Sequence, residues 1–217
     1  MRSEIGREGQ HERSFIEKAR RAQIIESAVA VISEAGYAKA SLARIAQHAG
    51  ISKGVISYHF DGKHELMEQV VEQTYTAVAE NVVRRVLSAS TAREMVRTHI
   101  MAVAEFMRAR PAHLRALGEI FVNLRNDDGS LRYGVAASEP IYRGLEDLFR
   151  GGQADGEFRD FDPRVMAVSL QASIDSMFGY WAAYPEHDPE AHARELADIF
   201  DHATRAEPRT DESAAPQ

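Results

Sequence analysis

The sequence predicts an all-α protein, a small three-helix front followed by a larger helical body, and three observations carry that prediction. Apolar residues recur at helical spacing from Ile24 almost to the C-terminus. Strand-type alternation is missing. Helix-starting devices are repeated: Ser41, Ser52, Asp61, Thr91, Asp162 and Asp188 precede periodic runs, and Pro111, Pro163 and Pro189 occupy first turns.

In chain order, residues 1–18 are polar and read as a flexible arm. The first helix carries Ile24, Ile25, Ala28, Val29, Ile32 and Ala35 on one side and stops at Gly36. Ser41 caps a short helix through His48, and Gly50 stands where a tight turn needs a left-handed residue. Ser52 caps a second short helix through His59, and Asp61 caps a long one from Gly62 to Leu87. At 1.5 Å per residue that helix spans roughly 39 Å. Thr91 and Glu94 stand at capping-box spacing. Helices follow from Pro111, from Pro140 to Ala154, from Pro163 and from Pro189, with a loop after Leu124 and a disordered tail over 206–217. The boundaries this implies are 1–18 arm, 19–65 front domain, 66–205 body and 206–217 tail.

The 217 residues suffice for one large or two small domains, and 44% hydrophobic content supports a real core. The absence of cysteine excludes disulfides, thiolate metal sites and a cysteine nucleophile. The charged N-terminus has no apolar stretch of the secretory kind, and no apolar run approaches the roughly 18 residues a membrane helix needs. A soluble cytoplasmic protein with no membrane partner is expected. Residues 1–65 hold 10 basic and 8 acidic side chains, and the remainder 16 and 25, within a net charge of −7. A mildly basic front joined to an acidic body suggests two parts with different partners.

Two short helices across a glycine-containing turn form a helix-turn-helix unit, whose second helix enters the DNA major groove by its N-terminal residues. In "ISKGVISYHFDGKHEL" Val55, Ile56 and Phe60 can pack inward, which leaves Ser52, Lys53, Gly54, Ser57, Tyr58 and His59 for something outside. Their donors suit phosphate oxygens and base edges, and Gly54 allows close backbone approach. Lys63, in the first turn of the next helix, adds charge beside free N–H groups. An ordinary helical subdomain with a solvated face is the alternative on spacing alone.

Residues 41–66, "SLARIAQHAGISKGVISYHFDGKHEL", resemble the DNA-binding signature of the TetR family of transcriptional regulators, and "RRAQIIESAVAVISEAGYAKA" resembles that family's first helix. The resemblance covers about residues 20–70 and is architectural beyond. It implies that Ser41 and Arg44 touch phosphate or base, that Ser52, Lys53, Gly54 and Val55 open the base-reading helix, that Tyr58 and His59 lean on the backbone, and that Lys63 binds phosphate. Ser57 departs from the pattern, since many relatives carry tyrosine there, and substitutes a shorter hydroxyl contact.

The same resemblance implies a double-stranded DNA operator, a homodimer and a small-molecule effector, with repression as the family's usual mode. The last two helices would form a four-helix bundle with a second copy through Val168, Ile174, Phe178, Leu196, Ile199 and Phe200. Phe106, Phe121, Tyr142, Leu145, Phe149, Leu170, Met177 and Trp181 would line a pocket, or simply fill core. Glu119 and Asp175 interrupt apolar helical stretches, and a buried carboxylate needs a partner. A cationic aromatic ligand, as in multidrug or efflux control, meets that need. A neutral or anionic metabolic ligand such as an acyl compound is the other reading. Metal and cofactor are not expected. His59 and His64, like His187 and His192, are five apart, and no HExxH, GxSxG, Walker or dinucleotide fingerprint occurs, so an enzyme is not expected. A helical interaction module without DNA binding is the rival from another class.

Overall fold

The structure is a computed structural model that describes residues 2–206, with side chains from Phe15 onward. Among the described residues there are nine α-helices and no β-strand: α1 Arg2–Ala35, α2 Leu42–Ala49, α3 Lys53–His59, α4 Lys63–Val86, α5 Ala92–Arg108, α6 Pro111–Asn123, α7 Glu139–Ala154, α8 Pro163–Ala183 and α9 Pro189–Thr204. α1 takes in most of the segment expected as an arm. Apart from Ala206, the expected tail lies outside the described residues.

The helix ends follow local chemistry. Ser41 accepts from Arg44 N–H and Ser52 from Val55 N–H, both at 3.3 Å, and Asp162 and Asp188 each accept two N–H groups of the following turn. Gly50 closes α2 in the left-handed conformation, φ 67°. Asp61 does not act as the cap the sequence suggests. Its own N–H is held by Glu65, and α4 starts at Lys63 after Gly62, φ 132°.

The chain divides into two compact units, Met1–Ala77 with Arg110–Gly134 and Val78–Ala109 with Val135–Gln217. The boundary suggested at 65/66 differs because α6 and the turn after it group with the front. Arg115 Nε donates to Ser33 Oγ at 2.9 Å, His113 faces Glu26 at 3.3 Å, and Arg132 pairs with Glu68 at 2.6 Å. None of these partners is near in sequence, so no local pattern announces them. The core of this unit is Ile24, Ile32, Ile45, Ile56, Leu66, Met67 and Ile120, each fully buried. Every such side chain contributes about 1.5–3 kcal/mol by leaving water.

In the second unit α5, α7, α8 and α9 enclose Ile100, Phe149, Leu170, Ile174 and Met177. Arg93 bridges Asp201 with bonds of 2.7 and 2.8 Å, which holds that carboxyl below its ordinary pKa, and Arg97 reaches Asp198. At the end of α7, Gly152 lies under the Phe158 ring. A Cβ there would stand 2.3 Å from two ring carbons and 2.8 Å from Ala92 Cβ.

α5 also carries His99, whose Nε2 is buried without a hydrogen-bond partner, and burial pushes its pKa from 6.5 down to about 4. The folded value lies below the unfolded one, so the unfolded chain binds the proton first. Stability is expected to fall as pH drops from about 6.5 to about 4, by at most ~3 kcal/mol, and to ignore this group above that window. Urea titrations of wild type and His99→Leu between pH 4 and 8 measure it, and a slope identical in both proteins would refute the assignment.

Candidate nucleic-acid interface

α2 and α3 present a polar face for a sequence-level reason. Each has few apolar residues, and these go inward: Ile45, Ala46 and Ile56 are buried, as is Phe60 just after α3. What remains outside is Ser41, Arg44, Gln47 and His48 from α2, and Ser52, Lys53, Gly54, Ser57 and Tyr58 from α3. Residues 53, 54, 57 and 58 recur at helical spacing, so they share one side. Tyr58 is 80% exposed, far more than an aromatic ring needs to be in a folded domain, and packs edge-on against His59 with ring centroids 5.0 Å apart. Neither helix contains an aspartate or glutamate. In a chain of net charge −7 this is a local cationic and hydrogen-bonding surface.

Three of the expected residues sit differently from the rest. Val55 is half-buried, so less of it is offered outward than the sequence suggests. His59 is half-buried, with Nδ1 enclosed and unpartnered, and its carbonyl accepts from Arg21. Lys63 turns inward. Its ammonium donates to the Tyr37 carbonyl at 2.6 Å and lies 4.0 Å from the centre of the Tyr37 ring, and burial lowers its pKa. One of its three donors is thus committed within the protein.

The sequence gives no sign of the residues that brace this face. Arg21 stacks on Phe60 at 4.3 Å and reaches Glu65 at 3.5 Å, and its partner His59 is 38 positions away. Tyr37 holds Lys63 from the α1–α2 joint. Only helical period could have flagged Arg21, as a polar residue beside the apolar stripe that begins at Ile24.

The residues expected to line a ligand pocket divide between the two units. Leu145, Phe149, Leu170 and Met177 are packed in the core of the second unit, and Phe106 is buried. Tyr142 is buried under the Arg164 guanidinium, 5.1 Å from its ring centre. Trp181 is half-buried. Glu119 and Phe121 belong to the first unit. Glu119 accepts the Tyr37 N–H at 2.8 Å, and Phe121 packs against Tyr75 and Tyr133. Asp175 is exposed on α8 rather than buried, because it falls on the outer side of that helix. It accepts from Gln171 Nε2 at 2.9 Å, and local desolvation raises its pKa.

The residues expected at a dimer face are also redistributed. Ile174, Leu196 and Phe200 belong to the chain's own core, Phe178 packs against that core, and Val168 is half-buried. Ile199 is 59% exposed. The outer side of α8 is instead Val165, Ser169, Ala172, Ser176, Gly179 and Ala183, all exposed and spaced alternately four and three apart. Among the described residues no group of three or more His, Asp or Glu is placed to hold a metal, and no helix is long and apolar enough to cross a membrane.

The pattern of bacterial regulatory proteins of the tetR family matches residues 24–70, which run from the first buried stripe of α1 through the polar face into α4. The HTH-type transcriptional regulator BetI 2 of Chromohalobacter salexigens is 39% identical over 190 residues, spanning 85% of this chain and 88% of that protein. Among solved structures, the regulator FadR of Bacillus subtilis in complex with stearoyl-CoA aligns with a TM-score of 0.73 at 21% identity, over 82% of this chain and 96% of FadR. A regulator of Saccharomonospora viridis in complex with choline aligns with a TM-score of 0.71 at 21% identity, over 88% of this chain and 100% of its own. At that identity the two structures speak for the fold.

Proposed function

The chain belongs to the TetR family of bacterial regulatory proteins, as a BetI-like transcriptional regulator and not an enzyme, and from that premise we propose that it is a cytoplasmic homodimeric repressor released from a palindromic operator by a small cationic molecule. The observation that carries the operator half of this reading is the α2–α3 face. It offers Arg44, Lys53, Ser57 and Tyr58 outward, without an acidic residue in either helix. In the proposed complex α3 enters the major groove by Lys53 and Gly54, while Ser41, Arg44, Tyr58 and His59 hold phosphates.

One such head makes a small contact, so a second copy supplies a half-site about 34–36 Å away, or a multiple of that. The α8 stripe from Val165 to Ala183, with Ile199 of α9, supports self-association. Small side chains at alternating spacing let helices of two copies approach closely. α4 runs from Lys63 to Val86 without interruption, and the proposed effector acts by shifting its later turns and so changing the distance between the two heads.

A cationic effector is supported by the choline bound to the S. viridis regulator. Trp181, half-buried on α8, supplies an indole of the kind an ammonium group stacks on. Stearoyl-CoA in FadR supports the second reading, an acyl effector. Thermal shift with choline and with stearoyl-CoA separates them. Choline at 100 times its Kd should stabilise by about 2.7 kcal/mol, and its addition should weaken binding to DNA from upstream of the gene by about 5- to 150-fold. Stabilisation by stearoyl-CoA and not by choline would favour the acyl reading. Absence of any DNA complex across a low-salt series would favour an interaction module.

A further inference from the structure

The joint between α1 and α2, residues 36–41 with a 3-10 turn over Tyr37–Lys39, is held from both sides at one residue. α1 ends at Ala35, and Gly36 turns the chain with φ 80° and ψ 160°. That conformation brings the backbone against α6, since a Cβ on Gly36 would stand 3.4 Å from Glu119 Oε2. Tyr37 is then gripped through both of its backbone polar groups. Tyr37 N–H donates to Glu119 Oε2 at 2.8 Å, and the Tyr37 carbonyl accepts from Lys63 Nζ at 2.6 Å and from Ala40 N–H at 3.2 Å. Each charge meets the matching group of its own peptide unit, the carboxylate at the N–H of Gly36–Tyr37 and the ammonium at the carbonyl of Tyr37–Ala38. Four residues after Tyr37 comes Ser41, the cap of α2.

We propose that Glu119 is a positioning residue for operator recognition: from α6, 82 positions away, it fixes the Tyr37 N–H and, with Lys63 on the Tyr37 carbonyl, sets the direction in which α2 and α3 leave α1. Both side chains are half-buried, so the grip works where water competes poorly. The other α6 ties, Arg115 to Ser33 and His113 to Glu26, fall on the body of α1 and hold the helix pair without touching the joint. The Glu119 carboxylate is bonded to the joint at Tyr37 N–H and not to a residue of α2 or α3. Its effect on DNA is therefore through orientation, and it has a signature distinct from that of a phosphate ligand. Affinity changes while the number of counterions released does not.

This inference rests on the reading of α2–α3 as a DNA-binding face, and the experiment separates the two. The full-length protein is titrated against DNA from upstream of its own gene over a salt series, below the melting range of every variant. Glu119→Ala is expected to lose about tenfold in affinity, the scale of one charged hydrogen bond, with an unchanged salt slope. The Tyr37 amide resonance should move upfield as its acceptor is lost. Glu119→Gln keeps an oxygen acceptor and should recover affinity to within about threefold. Arg115→Ala, which cuts a neighbouring α6–α1 bond, should bind like the wild type. The inference is overturned if Glu119→Ala binds normally while Lys53→Ala does not. It is also overturned if Glu119→Ala and Arg115→Ala lose affinity equally, or if Glu119→Gln is as weak as Glu119→Ala. Normal binding by Lys53→Ala as well would remove the DNA-binding reading, and this inference with it.

Discussion

Lys53→Ala is expected to lower operator affinity at least about 30-fold. A base or phosphate contact of this kind contributes about 1–3 kcal/mol, and a two-fold symmetric complex loses it twice. The folded state should hardly notice, because Lys53 is exposed at the start of α3 and Ser52, not Lys53, closes the cap. The melting midpoint should therefore stay within the range typical of surface substitutions, about 0.5 kcal/mol in equivalent stability. Anisotropy titrations over a salt series then tell which contact was lost. A phosphate ligand takes about one unit from the salt slope per head, whereas a base ligand relaxes sequence preference at one operator position. Tyr58→Ala, with an exposed ring, should behave in the same way to a smaller degree. Retention of full promoter recognition by both variants would end the assignment of α3 as the reading helix.

Ala172→Arg should have an effect of similar size by a different route. Ala172 lies midway along the exposed α8 stripe between Ser169 and Ser176, where a long charged side chain meets only solvent in the single chain. Across a two-fold interface the substitution enters twice, and breaking close packing with unpaired charge costs about 3–5 kcal/mol. Sedimentation should show monomers with a normal melting curve, and operator affinity should fall more than about 100-fold because each head binds alone. Ile199→Glu on α9 is expected to act alike. A substitution at Ile174 would be uninformative here, since that side chain is 1% exposed and its loss would damage the fold. Dimers that persist in both Ala172→Arg and Ile199→Glu would move the interface away from α8 and α9.

The fold was legible where the chemistry is local. Ser41, Ser52, Asp162 and Asp188 act within three residues of themselves, and Gly50 answers to its own φ, so each can be read from a short window of letters. Asp61 departs from the expected cap for a physical reason. Its position suits a cap, but Glu65 four residues on takes the N–H of Asp61, and Gly62 carries the turn. The polar face of α2–α3 was legible because two short helices have too few apolar residues to hide the rest. The body was not legible at the level of single residues. Ile174, Asp175 and Phe178 are one turn of α8, yet one is core, one is exposed and one is intermediate, and helical period alone does not set the zero of that rotation. Glu119 was legible as an acid in an apolar stretch, but its partner lies 82 positions back, at a distance no spacing rule reaches.

Gly152 has a bearing on how this family member can diversify. With a ring face and a methyl group already inside the volume any side chain would occupy, the end of α7 admits hydrogen alone. A saturation library read out by abundance would leave that column blank but for the native letter, while α8's outer stripe tolerates many letters in the isolated chain. Divergence in the second unit is thereby funnelled toward its outer surfaces, around one fixed position.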